Sequence, residues 1–295
     1  MRTLLHFFLS ARVWFFCLLL LPPALLAQIS QPGTDLHVLT SIRPLQIITN
    51  DIMRGVGQAD VLIDAAQSPH HFQLKPSQMR LASQTGLLIW ISNDFEAGLK
   101  RLQNSLPKRS QKLQLLPLLN ARNGNARALD ADGHIWLSPD IVIEMAHLIS
   151  DKLSAMDSAN AARYRQNAEH LIDALKQWKQ QNFARLHQPE PSYILDHRFL
   201  THFEHSLSLS AHDSLRDSHD GHASIRHLSR LQKSLKQAPV KCLLVSKLPP
   251  GAQAQQISQQ FKLKLQLIET LGKPAAHQTT IEFFDAIANA LAHCR

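Results

Sequence analysis

The stretch SANAARYRQNAEHLIDALKQWKQQNFARL, residues 158–186, decides the fold. Tyr164, Ala168, Leu171, Leu175 and Trp178 step by four, three, four and three residues, which is one apolar stripe on a helix. No glycine or proline interrupts them, and the positions between are mostly Arg, Gln, Lys, Asn and Glu. At 1.5 Å per residue this makes a helix of roughly 40 Å. A coiled-coil seam would carry the period through more heptads. The stretch therefore reads as a rigid connector lying across two bodies of structure.

On both sides of it, short apolar runs alternate with helical patterns. Upstream, residues 36–42, 61–63 and 87–91 read as buried strands. Pro44 suits an early helix position, and Leu45, Ile48 and Ile52 share a face until Gly55. Ser138-Pro139 is an N-cap followed by Pro at N1, with Ile141, Met145, Leu148 and Ile149 on one face behind it. Downstream come a strand at 193–195, a helix at 225–235 and a strand at 240–245. Pro249-Pro250-Gly251 then breaks the chain before another helix, a strand follows at 263–268, and a helix closes the chain at 281–292. Strands alternating with helices imply mostly parallel sheets covered on both faces. The expectation is an α/β protein: a lobe at 28–157, a linker helix at 158–187 and a second lobe at 188–295.

Residues 1–27 have the pattern of a cleaved secretory leader. Arg2 and Arg12 supply positive charge, residues 14–21 are an unbroken apolar run, and Pro22-Pro23 lead into Ala24-Leu25-Leu26-Ala27. A membrane anchor would need roughly 20 apolar residues, and this core is shorter. Cys17 would leave with the leader. Two cysteines then remain, Cys242 and Cys294, and in an oxidising compartment an even count reads first as a disulfide; a free metal-binding pair is the alternative.

The net charge is +8, yet there is no run of Lys or Arg interleaved with aromatics, and the chain has only two tyrosines. Nucleic acid is therefore not expected as a partner. The unusual count is 17 histidines, and neutral imidazole is a common ligand for borderline metals. Three histidines hold comparable places. His70 lies just after the second strand, His134 immediately before a helix, and His197 just after the strand at 193–195. Glu269 follows the last strand. Ligand groups in open α/β sheets collect beyond the carboxyl ends of strands, so two donors from each lobe would place a metal in the interlobe cleft. Three imidazoles with a carboxylate or water suit tetrahedral Zn²⁺. Taken singly, a histidine after a strand is more often a hydrogen-bonded loop residue.

The motifs add to this. Ser68-Pro69-His70-His71-Phe72 with Leu74-Lys75-Pro76-Ser77, Asp132-Gly133-His134-Ile135-Trp136-Leu137-Ser138-Pro139, and His197 ahead of His202-Phe203-Glu204 resemble, in family order, the zinc-specific periplasmic binding proteins of ABC importers, the ZnuA-like branch of the TroA-like family. Thr40-Ser41-Ile42-Arg43-Pro44-Leu45 resembles the opening strand and turn, and the Cys242–Cys294 pair matches a disulfide of many zinc-type members. The resemblance implies that His70, His134 and His197 ligate the metal. Manganese-type relatives usually have Glu at the third place, so His197 favours zinc.

Some features depart from the pattern. Arg198 stands where an acid is usual, putting positive charge beside the third ligand. Leu200 and Thr201 replace an aromatic and a small residue, and Glu269 replaces an aspartate. The usual acidic His-rich loop between the first two ligands is missing. A later stretch carries His212, His219, His222 and His227; it reads either as a loop gathering zinc weakly or as a solvated polar loop. His202 and His205 stand at i, i+3 spacing, which would clamp a metal or leave two imidazoles on a surface helix.

The expected function is periplasmic zinc capture and delivery to an inner-membrane ABC permease, by a monomer that is not an enzyme. Alternatives are a zinc buffer or chaperone, and a degenerate paralogue uncoupled from any permease. A secreted zinc hydrolase is less favoured, because the sequence has neither H-E-x-x-H nor G-x-S-x-G.

Overall fold

The computed structural model describes residues 36–63, 67, 69, 72–123, 132–216, 224–273 and 277–295. The expected leader at 1–27 lies outside them, as do His70, His71, His219 and His222.

Strand β1 (Val38–Ile42) is buried along its whole length, as a central strand of a parallel sheet must be. It pairs in parallel with β2 (Asp60–Ile63) on one side and β3 (Leu87–Trp90) on the other, and β4 (Gln111–Gln114) adds beyond β3. The order is β2-β1-β3-β4. β4 was not foreseen: its sequence, QKLQ, buries only Leu113, because an edge strand needs no apolar run. Helices α1 (Arg43–Ile52), α2 (Pro76–Ser83) and α3 (Leu99–Gln103) connect these strands, and α4 (Leu115–Asn123) follows β4. Helix α5 (Pro139–Met156) starts as expected, with Ser138 Oγ accepting the Ile141 N–H at 3.2 Å.

The long helix α6 (Ala161–Leu186) follows a 3₁₀ turn at Ser158–Asn160, three residues later than the sequence pattern implied. Asp157 causes the delay: its Oδ2 accepts from Asn160 Nδ2 at 2.9 Å and from the Tyr164 hydroxyl at 2.8 Å, which pins the entry. The predicted stripe is buried, from Tyr164 through Trp178.

The second sheet has order β5-β6-β7, all parallel: β5 (Tyr193–Leu195), β6 (Cys242–Val245) and β7 (Lys264–Leu267). Helices α7 (Thr201–Leu207), α8 (Ile225–Leu235), α9 (Ala252–Phe261) and α10 (Thr280–Ala292) accompany it. A Cys242–Cys294 disulfide ties the start of β6 to the end of the chain.

Helix α6 holds both halves. Early on, Asn167 Nδ2 donates to the carbonyls of Ile52 and Arg54, both at 2.9 Å, at the end of α1. Later, Trp178 Nε1 donates to Asp285 at 2.7 Å and Arg185 to Asn289 at 2.6 Å, both on α10. Asp51 on α1 also accepts the Thr280 N–H at 2.8 Å, at the start of α10. One apolar core runs from Leu39 and Ile89 through Trp136 and Leu175 to Phe284, and a smaller one around Leu231, Leu243 and Ile257 lies on the second sheet. No helix among the described residues is long and apolar enough to cross a membrane.

Candidate functional site

Of the expected donors, His197 and Glu269 follow strand ends of the second sheet, and His134 stands just before α5. After β3, the chain turns through Ser92 and Glu96. Glu96 is fully buried; its Oε2 accepts the N–H groups of Ile91 at 2.8 Å and Ser92 at 3.1 Å, and Ser41, near the end of β1, bonds Oε1. Burial pushes this carboxyl up to about 8, against the lowering pull of those three hydrogen bonds. The side chain thus clasps the ends of two strands and sets the place of its neighbour Phe95, whose N–H donates to Ser92 Oγ at 3.0 Å.

Phe95 is the wall on which the next motif is built. Its ring lies edge-on to His134 at 5.5 Å and to Trp136 at 5.4 Å. Gly133 makes this possible: a Cβ there would fall 2.0 Å from the Phe95 ring. In Asp132-Gly133-His134 the glycine therefore admits the aromatic, and the aspartate two residues before the histidine folds back onto it. Asp132 Oδ1 accepts from His134 Nδ1 at 2.6 Å and from the His134 N–H at 3.0 Å. Burial alone would raise the Asp132 carboxyl, but the His134 hydrogen bond, the charges of His134 and His202 and the His134 N–H together hold it below its ordinary value. Trp136 Nε1 fixes the following 3₁₀ turn (Ile135–Leu137) to the Thr270 carbonyl at 2.7 Å.

From the second sheet, His197 stands two residues past β5, is 2% exposed, and packs against Phe199 at 5.0 Å. Its Nδ1 bonds Asp196 Oδ1 at 2.8 Å. Both imidazoles thus pair Nδ1 with a carboxylate. A carboxylate accepts, so each ring carries its proton on Nδ1; the same pairing of Nδ1–H with a carboxylate is the outer-shell arrangement of histidines that bind metal through the other nitrogen. The two ring centres are 6.1 Å apart. Two imidazoles on one tetrahedral ion, at Zn–N distances of about 2.0–2.1 Å, have centres roughly 5 Å apart, so a small ring adjustment closes the pair on an ion.

His134 and His197 are thus brought together as expected, from opposite sheets. His70 lies outside the described residues. Among those residues no group of three or more His, Cys, Asp or Glu side chains stands at metal-holding spacing. Glu269 is half-buried two residues past β7, beside the Thr270 that receives Trp136. Arg198 is half exposed and turns to Asp213 at 3.7 Å; ion pairs so exposed are weak. Leu200 is fully buried, so its departure from an aromatic is met by core packing.

The later histidines divide. His212 is pinned, with Nε2 against Ser234 Oγ at 2.6 Å and its N–H on the Tyr193 carbonyl at 2.8 Å. His227 Nε2 donates to the Ser214 carbonyl at 2.7 Å. Of the pair at i, i+3 spacing, His205 is exposed while His202 is buried and donates from Nε2 to the Asp132 carbonyl at 2.7 Å. His202 is therefore neither a surface imidazole nor half of a clamp with His205. Sequence reading missed Asp132 and Asp196 as partners of the two histidines, and it read His202 against His205 where its partner is Asp132. For the two aspartates the signal was their place one and two residues before a histidine.

The family model described as ZnuA, zinc-uptake complex component A periplasmic, matches residues 38–294. The high-affinity zinc uptake system protein ZnuA of Haemophilus ducreyi is 24% identical over 289 residues, covering 87% of this chain and 92% of that protein. A crystal structure of ZnuA superposes with a TM-score of 0.75 at 20% identity, over 88% of this chain and 98% of the other. A zinc-bound ZnuA lacking residues 138–173 of its own chain gives 0.74 at 20% identity, over 88% and 97%.

Proposed function

The chain belongs to the ZnuA family of periplasmic zinc-uptake components, and on that premise we propose that it binds one Zn²⁺ tightly between its two sheets and hands it to an ABC-type permease. The observation that carries this reading is the His134–His197 pair: two imidazoles from opposite sheets, 6.1 Å apart, each backed at Nδ1 by its own aspartate. His70 supplies the third imidazole, and Glu269 or water the fourth position. A nitrogen-rich donor set with no thiolate selects zinc over the harder manganese ion.

In this reading residues 1–27 are removed on export and the monomer works in the periplasm. Residues 28–157 and 188–295 act as the two lobes, with the helix at 158–187 limiting how far they part. Zinc is cargo, and no bond is made or broken in it.

The test is titration of the chelator-stripped protein, without residues 1–27, against Zn²⁺ and Mn²⁺ in competition with a chelator of known affinity. One tight zinc site is expected. His134→Ala and His197→Ala should each weaken it by several orders of magnitude, since structural zinc sites in peptides contribute about 10–16 kcal/mol shared among four ligands. Parental affinity in both variants would overturn the assignment.

A further inference from the structure

We propose that His202 is a positioning residue for the zinc ligand His134, holding it from the opposite sheet through Asp132. The inference rests on the zinc-binding reading above and adds to it a device by which the separation of the two halves lowers zinc affinity.

The geometry runs in a short chain. His202 is 8% exposed and lies on α7, the helix that begins four residues after the ligand His197. Its Nε2–H donates to the Asp132 carbonyl at 2.7 Å, and the same nitrogen is 3.9 Å from Asp132 Oδ2. That Oδ2 is buried with no hydrogen-bond partner among the described residues, while Oδ1 takes both His134 Nδ1 and the His134 N–H. His202 is thus the donor that grips the backbone of the residue that orients His134, with its charge-bearing side chain close by. With its backbone held in this way, Asp132 keeps its carboxylate against Nδ1–H of the imidazole and so fixes the direction of Nε2.

Helix α7 moves with its own sheet. The Tyr193 hydroxyl, on β5, donates to Glu204 Oε1 at 2.7 Å, and the same oxygen accepts the Ala211 N–H at 2.9 Å. One continuous segment of the second half therefore supplies a ligand, His197, and braces the other ligand, His134. Drawing the halves apart strips His202 from Asp132 and loosens His134 as the two imidazoles separate, so zinc is released over a short opening. A second bond across the same contact, Ser138 Oγ to Ser206 Oγ at 2.7 Å, does not touch Asp132 and serves as the control.

The experiment measures the zinc dissociation rate and affinity by chelator competition, alongside the melting temperature of the zinc-free protein. His202→Ala should weaken zinc binding 10–100-fold, the range seen when an outer-shell partner is lost. His202→Gln, whose amide nitrogen reaches the same carbonyl, should restore most of it. Ser206→Ala should lower the melting temperature yet leave affinity within about twofold, which separates positioning from general stability. In an Asp132→Ala background, His202→Ala should add less than about threefold. Undiminished loss in that background, or affinity in His202→Ala equal to the parent while His134→Ala abolishes binding, overturns the proposal alone. Parental affinity in His134→Ala as well would overturn the zinc-site reading beneath it.

Discussion

Glu96 makes the folded state sensitive to pH in a direction opposite to that of most carboxylates. It is held at about 8 against an ordinary value of 4.5, chiefly by burial. A raised acid means that the folded chain binds a proton the unfolded chain has lost. Its stabilising effect is therefore complete below about pH 4.5 and fades as pH rises toward 8. A gap of that size corresponds to roughly 5 kcal/mol, of which about 3 kcal/mol falls between pH 5 and pH 7.5. Glu96→Gln isolates the effect. The amide is neutral at every pH, its oxygen can accept the Ile91 and Ser92 N–H groups, and its nitrogen can donate to Ser41. At pH 5 the variant should be about as stable as the parent; at pH 7.5 it should be more stable by about 3 kcal/mol, or roughly 6–12 °C in melting temperature. The assay is thermal unfolding of the zinc-free, disulfide-intact protein, followed by the fluorescence of the buried Trp90, Trp136 and Trp178. Subtracting parent from variant at each pH removes the titration of all the histidines. A difference that stays flat from pH 5 to pH 8 would mean that Glu96 ionises in the fold as it does in the unfolded chain, and the reasoning would fail.

Three further outcomes are expected. The protein without residues 1–27 should show no free thiol in the folded, non-reduced state, and Cys242→Ser with Cys294→Ser should cost up to roughly 4 kcal/mol in chemical unfolding, as a closed loop of this span implies. Glu269→Gln should weaken the tight zinc site modestly and leave its stoichiometry at one; an unchanged affinity would give the fourth position to water. Replacing His219 and His222 with serine should abolish any weak second zinc event in calorimetry while sparing the tight one. With His212 and His227 engaged by Ser234 and Ser214, loss of the tight site on that change would move primary ligands into this stretch.

What the sequence made legible is what depends on local pattern. The α6 stripe, the buried runs of β1, β3, β5 and β6 and the Ser138-Pro139 helix start each announce themselves within a few residues, because burial or capping imposes a period or a residue type there. His197 stood out for a related reason: parallel strands send all their carboxyl ends to one edge, so a histidine just past such an end has a restricted set of neighbours; His134 was marked instead by its place just before the Ser138-Pro139 helix start. β4 was hidden because an edge strand needs little apolar content, and the start of α6 was masked by the side-chain bonds of Asp157. His202 shows the limit most clearly. Its helix spacing paired it with His205, three residues on, while its actual partner is Asp132, 70 residues away in the chain. No period or composition encodes that meeting; it arises only after two sheets, each with its own local logic, are set against each other by α6. A candidate such as His197 can therefore be read from one strand end, whereas the contacts around the site, His202 on Asp132 and Trp136 on Thr270, belong to the docking of the two halves. A zinc-uptake protein has reason to place them there, since the docking of two halves can change while each sheet keeps its own packing.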